Sequence, residues 1–414
     1  MEKQKQVQKK QSATAIFFEE LSKSSGLVTF LAILTGILIS GLLVAFTTVE
    51  VYQAFSVSFW GGIKEIVKTA WSTYSTLFMG AFGNPKDIVA AFQGGDALTI
   101  RRAINPFFES LVQATPYIFA GLSVALGFRV GLFNIGAEGQ IFIGALTATY
   151  AGYAITGLPA FIHIPLAMLA GALGGAIWGF VPGFLKAKTG AHEVIITIMM
   201  NYIAFKFTDF MINGPMQDPN EYTPKTPWIQ ESAQLTHLFA DPIRFHIGFF
   251  IALGVAYLVY WLLFKTTWGF ELRTVGSNPN GARYAGINTT KSTVIAMSLA
   301  GSLAGMAGAN EVLGLNFRLV PSFSSGYGFD SIALALLGKN HPLGVVLSAL
   351  LFGFLRNGSR QMQLKAGVPI DIVSILQALI LAFIAAPAII RTIYRLKKPD
   401  IEEEGVRVSG WGGK

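Results

Sequence analysis

The run Leu27–Phe46 contains no charged side chain. An apolar helix of about 20 residues matches the hydrocarbon core of a bilayer, and so long an uncharged stretch has few other uses. Nine further apolar segments follow: Ser110–Phe128, Phe133–Leu158, Ile164–Leu185, Glu193–Phe210, Ile247–Phe264, Ser292–Gly314, Gly328–Leu337, Leu343–Leu355 and Ile370–Ile390. The segment Gly328–Leu337 is too short to span alone and reads as a half-helix. Glycines and polar residues break the start of Phe133–Leu158. With only 13% of 414 residues charged, the chain cannot coat the surface of a soluble protein of this length. The expected fold class is an all-α polytopic membrane protein with about ten transmembrane helices. The absence of cysteine excludes disulfides, thiolate metal sites and cysteine nucleophiles.

Charge sets the orientation. Lys3, Lys5, Lys9, Lys10 and Lys23 precede the first run. A secretory signal would have a shorter apolar core and a small-residue cleavage site, so this run reads as a retained helix with its N-terminus inside. Ten crossings then place both termini inside, with a tail at 1–26, a membrane domain at 27–390 and a second tail at 391–414. The predicted inside segments hold 19 of the 31 Lys and Arg residues, Arg129, Lys186, Lys188, Lys265, Arg273, Arg283, Lys291 and Lys339 among them. Residues 50–109 and 211–246 read as extracytoplasmic. The first has turn signals at Gly83-Asn84-Pro85 and Gly94-Gly95-Asp96, and the second carries five prolines. Five helices per half is an odd number, which makes an inverted repeat the natural arrangement.

Small residues recur at helical spacing. Gly171, Gly175, Gly179 and Gly183 lie four apart, and Gly301, Gly305 and Gly308 form a similar stripe. Close helix packing is the expected use, with subunit association as the other.

Polar residues inside apolar runs carry more information. Asn134, Glu138 and Gln140 sit among Gly131, Gly136 and Gly139. A carboxylate at a helix centre costs about 2.5–3.5 kcal/mol on insertion scales, so such a group faces a cavity or finds a partner. This stretch lines a transport path or breaks a helix beside one; alternatively it is an inner-side turn in which Glu138 caps a helix. Glu193 and Asn201 lie eight apart on nearly one helix face, Asn310 and Glu311 end another run, and Asp330 opens a third after Gly326 and Gly328. These side chains suit contact with a polar solute, or with one another.

The longest inside loop, 265–291, reads as a connector or as a docking element. Asn278-Pro279 fits a helix start and Gly286 a stop. Catalysis has no support. The five histidines are scattered, and Gly338-Lys339-Asn340 lacks the Ser/Thr and upstream Gly of a phosphate loop. No metal or cofactor is expected.

Several segments, in order, resemble the branched-chain amino-acid and simple-sugar permease family of ATP-binding cassette (ABC) importers. They are Phe133–Gln140, Glu193–Tyr202, Val275–Asn278, Ala285–Ile287 and Ser298–Gly308. The Asn134–Gln140 form and the stretch Phe329–Gly344 are similar to the nucleoside-uptake branch, and the resemblance covers about residues 105–390. It implies a multi-pass permease subunit of the cytoplasmic membrane, paired with a different, related permease. It implies a cytoplasmic ATPase docked on 265–291 and an extracytoplasmic lipoprotein that delivers the solute. Gly276, Asn278, Ala282, Arg283, Gly286 and Ile287 would then lie in or beside the coupling element. Asn134, Glu138, Gln140, Glu193, Asn201, Asn310 and Asp330 are the substrate-path candidates. A simple sugar is the rival solute. An ion-coupled secondary transporter is the rival class, with Glu138 or Glu193 as its ion site. The two tails fall outside the resemblance.

Overall fold

The computed structural model describes residues 25–366 and 371–396. The tails at 1–24 and 397–414, and with them nine of the 19 basic residues assigned to the inner face above, lie outside the described residues. Among the described residues the chain forms two compact units, residues 25–75 with 366 and 371–396, and residues 76–365.

In the first unit the uncharged run becomes α1 (Ser25–Thr47), followed by α2 (Val49–Val57) and α3 (Phe59–Phe82), which continues into the second unit. The last apolar run becomes α15 (Asp371–Ala385) and α16 (Pro387–Ile393). These two are bent by 88° at Ala386, so Ile370–Ile390 is not the single straight span expected from its composition. The cause is Pro387, which has no N–H to continue the helix and disfavours helical backbone in the residue before it. α15 packs on α1 at Gly36, where a β-carbon would stand 2.8 Å from Ile380 Cγ1. The Thr35 hydroxyl and the Tyr394 hydroxyl share a hydrogen bond of 2.9 Å.

The second unit holds α4 (Pro85–Gly94), α5 (Ala97–Arg129), α6 (Ala137–Ala154), α7 (Ala160–Thr189), α8 (Glu193–Ile212) and α9 (Gly248–Lys265). After them come α10 (Thr267–Ser277), α11 (Pro279–Tyr284), α12 (Thr289–Glu311), α13 (Tyr327–Leu337) and α14 (Pro342–Ala366). Each predicted apolar run contains a helix among the described residues. Seven helices among the described residues are long and apolar enough to cross a membrane, or eight if α15 and α16 form one span. Of the ten predicted crossings, α6 and α13 fall short. Glu138 and Gln140 lower the apolarity of α6, and α13 has only 11 residues.

The segment 50–109 is more helical than its sequence suggested. Trp71–Phe82 is the second half of a 24-residue helix whose first half carries Lys64, Glu65 and Lys68. The turn signals fall where expected. Asn84 caps α4 by accepting Lys86 N at 3.1 Å, and Asp96 caps α5 by accepting Thr99 N at 2.8 Å. That cap starts α5 ahead of its apolar run. Residues 213–247 contain one 3₁₀ turn and are tied to the end of α12 by backbone bonds, among them Leu235 N to Leu313 O at 2.8 Å and Ile229 N to Phe317 O at 2.9 Å.

The glycine stripes pack against each other inside the chain. A β-carbon at Gly171 would stand 2.7 Å from Ala309 Cβ, at Gly175 2.7 Å from Gly305 Cα, and at Gly183 2.8 Å from Met297 Cβ. The whole α7 stripe is therefore covered by α12, and its use is internal packing, not association with another subunit. Lipid offers little hydrophobic drive between helices, so this backbone approach supplies van der Waals contact that side chains would prevent.

One order of elements occurs twice. Long α5 is followed by an irregular segment and then α6. Long α12, ending in a π-helical turn at Val312–Asn316, is followed by an irregular segment and then the half-length α13.

Candidate translocation path and docking face

The two broken crossings meet at their helix starts. Glu138, in the first turn of α6, accepts Gly328 N at 2.6 Å and the Ser324 hydroxyl at 2.6 Å. Gly328 is in the first turn of α13, and only glycine allows this approach, since a β-carbon there would stand 2.8 Å from Ala137 C. One buried carboxylate thus lies at two helix N-termini, where partial positive charge from the unpaired N–H groups favours it.

The neighbouring polar residues hold the break in shape. Asn201 on α8 accepts Gly139 N at 2.8 Å and donates to Ile135 O at 3.0 Å. Asn134 and Gln140 pair amide to amide at 2.9 and 3.2 Å, with Ser123 at 3.3 Å from Asn134. Asn134, Glu138, Gln140 and Asn201 are all buried, and each is hydrogen-bonded within the chain. Glu193 stands apart from them, paired with Lys186 at 2.8 Å beside the α7–α8 turn.

Asp330 belongs to a different group. It accepts the Tyr117 hydroxyl at 2.7 Å and faces Arg356 Nη1 at 3.3 Å. Arg356 also donates to the Tyr117 hydroxyl and, at 3.1 Å, to Ser325 O. Its guanidinium lies 5.3 Å from the Tyr327 ring centroid, and Tyr327 in turn engages Glu311. Further along α5 and α14, Glu109 pairs with Arg244, whose Nε lies 3.3 Å away, and with Arg360 at 3.7 Å. Gln113 donates to Glu109 at 3.2 Å. Asn310 is fully buried, and neither atom of its amide has a hydrogen-bond partner among the described residues. The result is a file of charged and aromatic groups running between α5, α12, α13 and α14, with the side chains of Asp330 and Arg356 about one third and one quarter exposed.

Of this file, sequence reading found Asp330, Asn310 and Glu311 and missed Tyr117, Tyr327, Arg356, Glu109, Arg244 and Arg360. A signal existed. Arg356 and Arg360 lie inside α14, whose apolar run was ended at Leu355 by these same charges, and an ionisable residue within a membrane helix is itself a pointer to function. Beside the file, Gly248 N donates to His246 Nδ1 at 3.2 Å. Burial, helped by the nearby His237 and Arg244, pushes the His246 imidazole down to about 4.

At the other end of α5 lies the 265–291 loop. Asn278 ends α10 and caps α11, accepting Gly281 N at 2.9 Å. Gly276 packs on the base of α5, where a β-carbon would stand 2.9 Å from Val130 Cα. Ala282 is buried and accepts Ile287 N at 2.9 Å. Arg283 reaches back to the Thr289 hydroxyl at 3.2 Å. Gly286 has φ +81° and open space around it, while Tyr284 is fully exposed. Arg129, the last residue of α5, donates to Asn340 O at 2.9 Å in the turn between α13 and α14. Arg129 and Arg273 both lie over the Phe264 ring. The loop is therefore joined mechanically to α5 and to the α13–α14 turn, the same elements that carry Tyr117, Asp330 and Arg356. Among the described residues, no group of three or more His, Asp or Glu is placed to hold a metal.

Residues 107–385 match the family described as branched-chain amino acid transport system / permease component. The chain is 45% identical to the guanosine ABC transporter permease protein NupP of Bacillus subtilis, over 70% of this chain and 84% of that one. It is 36% identical to the glucose ABC transporter permease protein TsgB13 of Haloferax volcanii, over 67% and 75%. It is also 36% identical to the nucleoside ABC transporter permease protein NupB of Lactococcus lactis, over 73% and 85%. Each of the two bacterial species also has a second such permease similar to this chain, NupQ at 28% and NupC at 29% identity. No solved structure matches.

Proposed function

The chain belongs to the family of branched-chain amino acid transport system / permease components, and from that premise we propose that it translocates nucleosides as one permease subunit of an ABC importer. It is a multi-pass membrane permease and not an enzyme. The observation that carries the nucleoside reading is the 45% identity to a guanosine permease across 70% of the chain.

The geometry supplies a mechanism of alternating access. A nucleoside presents hydroxyls, ring nitrogens and a flat base. The file from Glu109 to Asp330 offers matching acceptors, donors and aromatic faces, and binding in such a file is directional because buried polar groups lose heavily when left unpaired. The Tyr117–Asp330–Arg356 cluster joins three helices, so a relative shift of α5 and α13 opens or closes it. In this reading the α5–α6 and α12–α13 pairs, clamped at Glu138, are the elements that rock as rigid bodies. Asn134, Gln140 and Asn201 act here through the clamp, while Asp330 and Asn310 face the solute. Glu193 fixes the α7–α8 turn.

Energy comes from outside the chain. ATP binding and hydrolysis on a cytoplasmic ATPase displace α11, and Gly276 and Arg129 transmit that displacement to α5 and to the α13–α14 turn. The two-permease sets of the bacterial relatives support a second, different permease as partner. A lipoprotein on the outer face delivers the solute. The similarity to a glucose permease supports a second reading, in which the solute is a simple sugar.

Tracer uptake tests this. A strain lacking the chain loses uptake of guanosine or another nucleoside and regains it with the gene restored. Parental uptake of every nucleoside, with loss of a sugar instead, overturns the nucleoside reading and favours the second.

A further inference from the structure

Beside the exposed helix α11 lies a pocket of about 60 Å³, lined by Trp268, Glu271 and Leu272 of α10 and by Asn288, Lys291, Ser292 and Ile295 of α12 and its cap. Spacings of three and four bring each set onto one helix face. Leu272 and Ser292 are buried and form the floor, with Ile295 and the Trp268 ring as apolar walls. Glu271, Lys291 and Asn288 are exposed and form a charged and polar rim.

Size decides what fits. A water-sized group needs about 10–15 Å³ on this scale, so the pocket takes roughly four to six such groups. That is the end of a Leu, Met or Phe side chain, and far less than a nucleoside or nucleotide. The surroundings point to a protein. Trp268 is 58% exposed, Phe270 59% and Tyr284 95%, all on the loop that contains α11. An exposed Trp over a small apolar pocket with a polar rim, with further exposed aromatics on the same loop, is the composition of a protein–protein anchor point.

We infer that this pocket is a socket for one apolar side chain of the cytoplasmic ATPase subunit, a second contact beside α11. The inference rests on the docking reading above, and continuity with α11 selects the occupant. The socket lies between the helix that enters α11 and the helix that leaves it. An anchored side chain therefore grips both ends of the moving element, where α11 alone offers a single short turn.

The test uses the transporter purified from membranes through a tag on this chain, with its ATPase subunit co-expressed. Ser292→Phe fills the socket from its floor, and Ile295→Phe fills it from a half-exposed wall where a larger ring is tolerated. Both variants are expected to keep the permease at parental yield and to retain the ATPase subunit about tenfold less well. Arg283→Glu, on α11, tests docking separately. Release of the ATPase by Arg283→Glu, with parental retention in both filled variants, overturns the socket and leaves docking standing. Parental retention in all three overturns docking and the socket together. Tryptophan quenching by brominated lipid that disappears in Trp268→Phe would show lipid in the pocket and also overturn the inference.

Discussion

Gly328 N donates to the carboxylate of Glu138 at 2.6 Å, across 190 residues of chain. The start of the half-length helix α13 is thereby closed by the first turn of α6. Neither helix start has a capping side chain of its own, since Gly136 and Gly326 occupy the cap positions. Glu138 supplies the missing acceptor at the start of α13, and Asn201 supplies one at the start of α6 by accepting Gly139 N.

Removing that charge should loosen the fold. Glu138→Ala leaves the Gly328 N–H and the Ser324 hydroxyl without their acceptor in a buried site. Hydrogen bonds to a charged group contribute about 1.5–3 kcal/mol each, so a loss of about 3 kcal/mol is expected, with a smaller loss for Glu138→Gln. Thermal unfolding of the purified protein in detergent checks this. Parental midpoints in both variants would remove Glu138 from the role of clamp.

The cluster around Asp330 makes a different prediction. Tyr117→Phe removes one hydroxyl that donates to Asp330 and accepts from Arg356. Arg356→Lys keeps the charge but loses the planar fork. Groups in one network do not act additively, with coupling energies of about 0.5–3 kcal/mol. The double variant should therefore lose clearly less uptake than the product of the two single losses. Strictly multiplicative losses, measured as initial rates at equal protein in the membrane, would show that the two side chains act apart.

The neutral imidazole of His246 gives a pH dependence with a fixed sign. Its ordinary value of 6.5 applies in the unfolded chain, and burial lowers it to about 4 in the fold. Between those values the unfolded chain binds the extra proton, so stability is whole above about 6.5 and falls as pH drops toward 4. The full difference is about 3 kcal/mol, to order of magnitude. Hydrogen-exchange protection of residues 235–247, taken relative to the intrinsic rate at each pH, should fall across that window, and His246→Phe should flatten the dependence. A protein equally protected at pH 7 and pH 4.5 contradicts it.

Parts of this architecture were open to reading from residue types because they depend on local physics. The uncharged run at Leu27–Phe46 had to be a helix, the spacing of Gly171 to Gly183 had to mark a packed face, and Asn278-Pro279 had to start a turn of helix. The break before Glu138 was visible as glycines beside a carboxylate. Its partner was not, because nothing near Gly328 in the chain signals a contact with residue 138. The file from Glu109 to Arg356 was hidden for another reason. Runs delimited by hydropathy stop at charges, so Arg356 was trimmed from the helix that presents it. At Pro387 the opposite happened, and an apolar run was carried through a residue that ends a helix.

Coupling gives the last prediction. Gly286 adopts φ +81°, a conformation that costs an ordinary L-residue roughly 1–2 kcal/mol, although no neighbouring atom stands in the way. Gly286→Val should therefore shift the turn that follows α11 without disturbing the bundle, since strain is the sole penalty in open space. Arg283→Glu breaks the contact with Thr289 and reverses the charge beside it. Both changes leave the file from Glu109 to Asp330 untouched. For Gly286→Val the expected outcome is a permease that reaches the membrane normally and whose partner still hydrolyses ATP, with uptake per ATP reduced at least about fivefold, while Arg283→Glu is expected to release the partner, so that hydrolysis and uptake fall together. Solute-stimulated hydrolysis and uptake that both remain at parental rates in both variants would remove α11 from the coupling path. A parallel fall of hydrolysis and uptake would instead mark a loss of docking. The ratio separates lost coupling from lost docking, and the two rates separate lost docking from no effect.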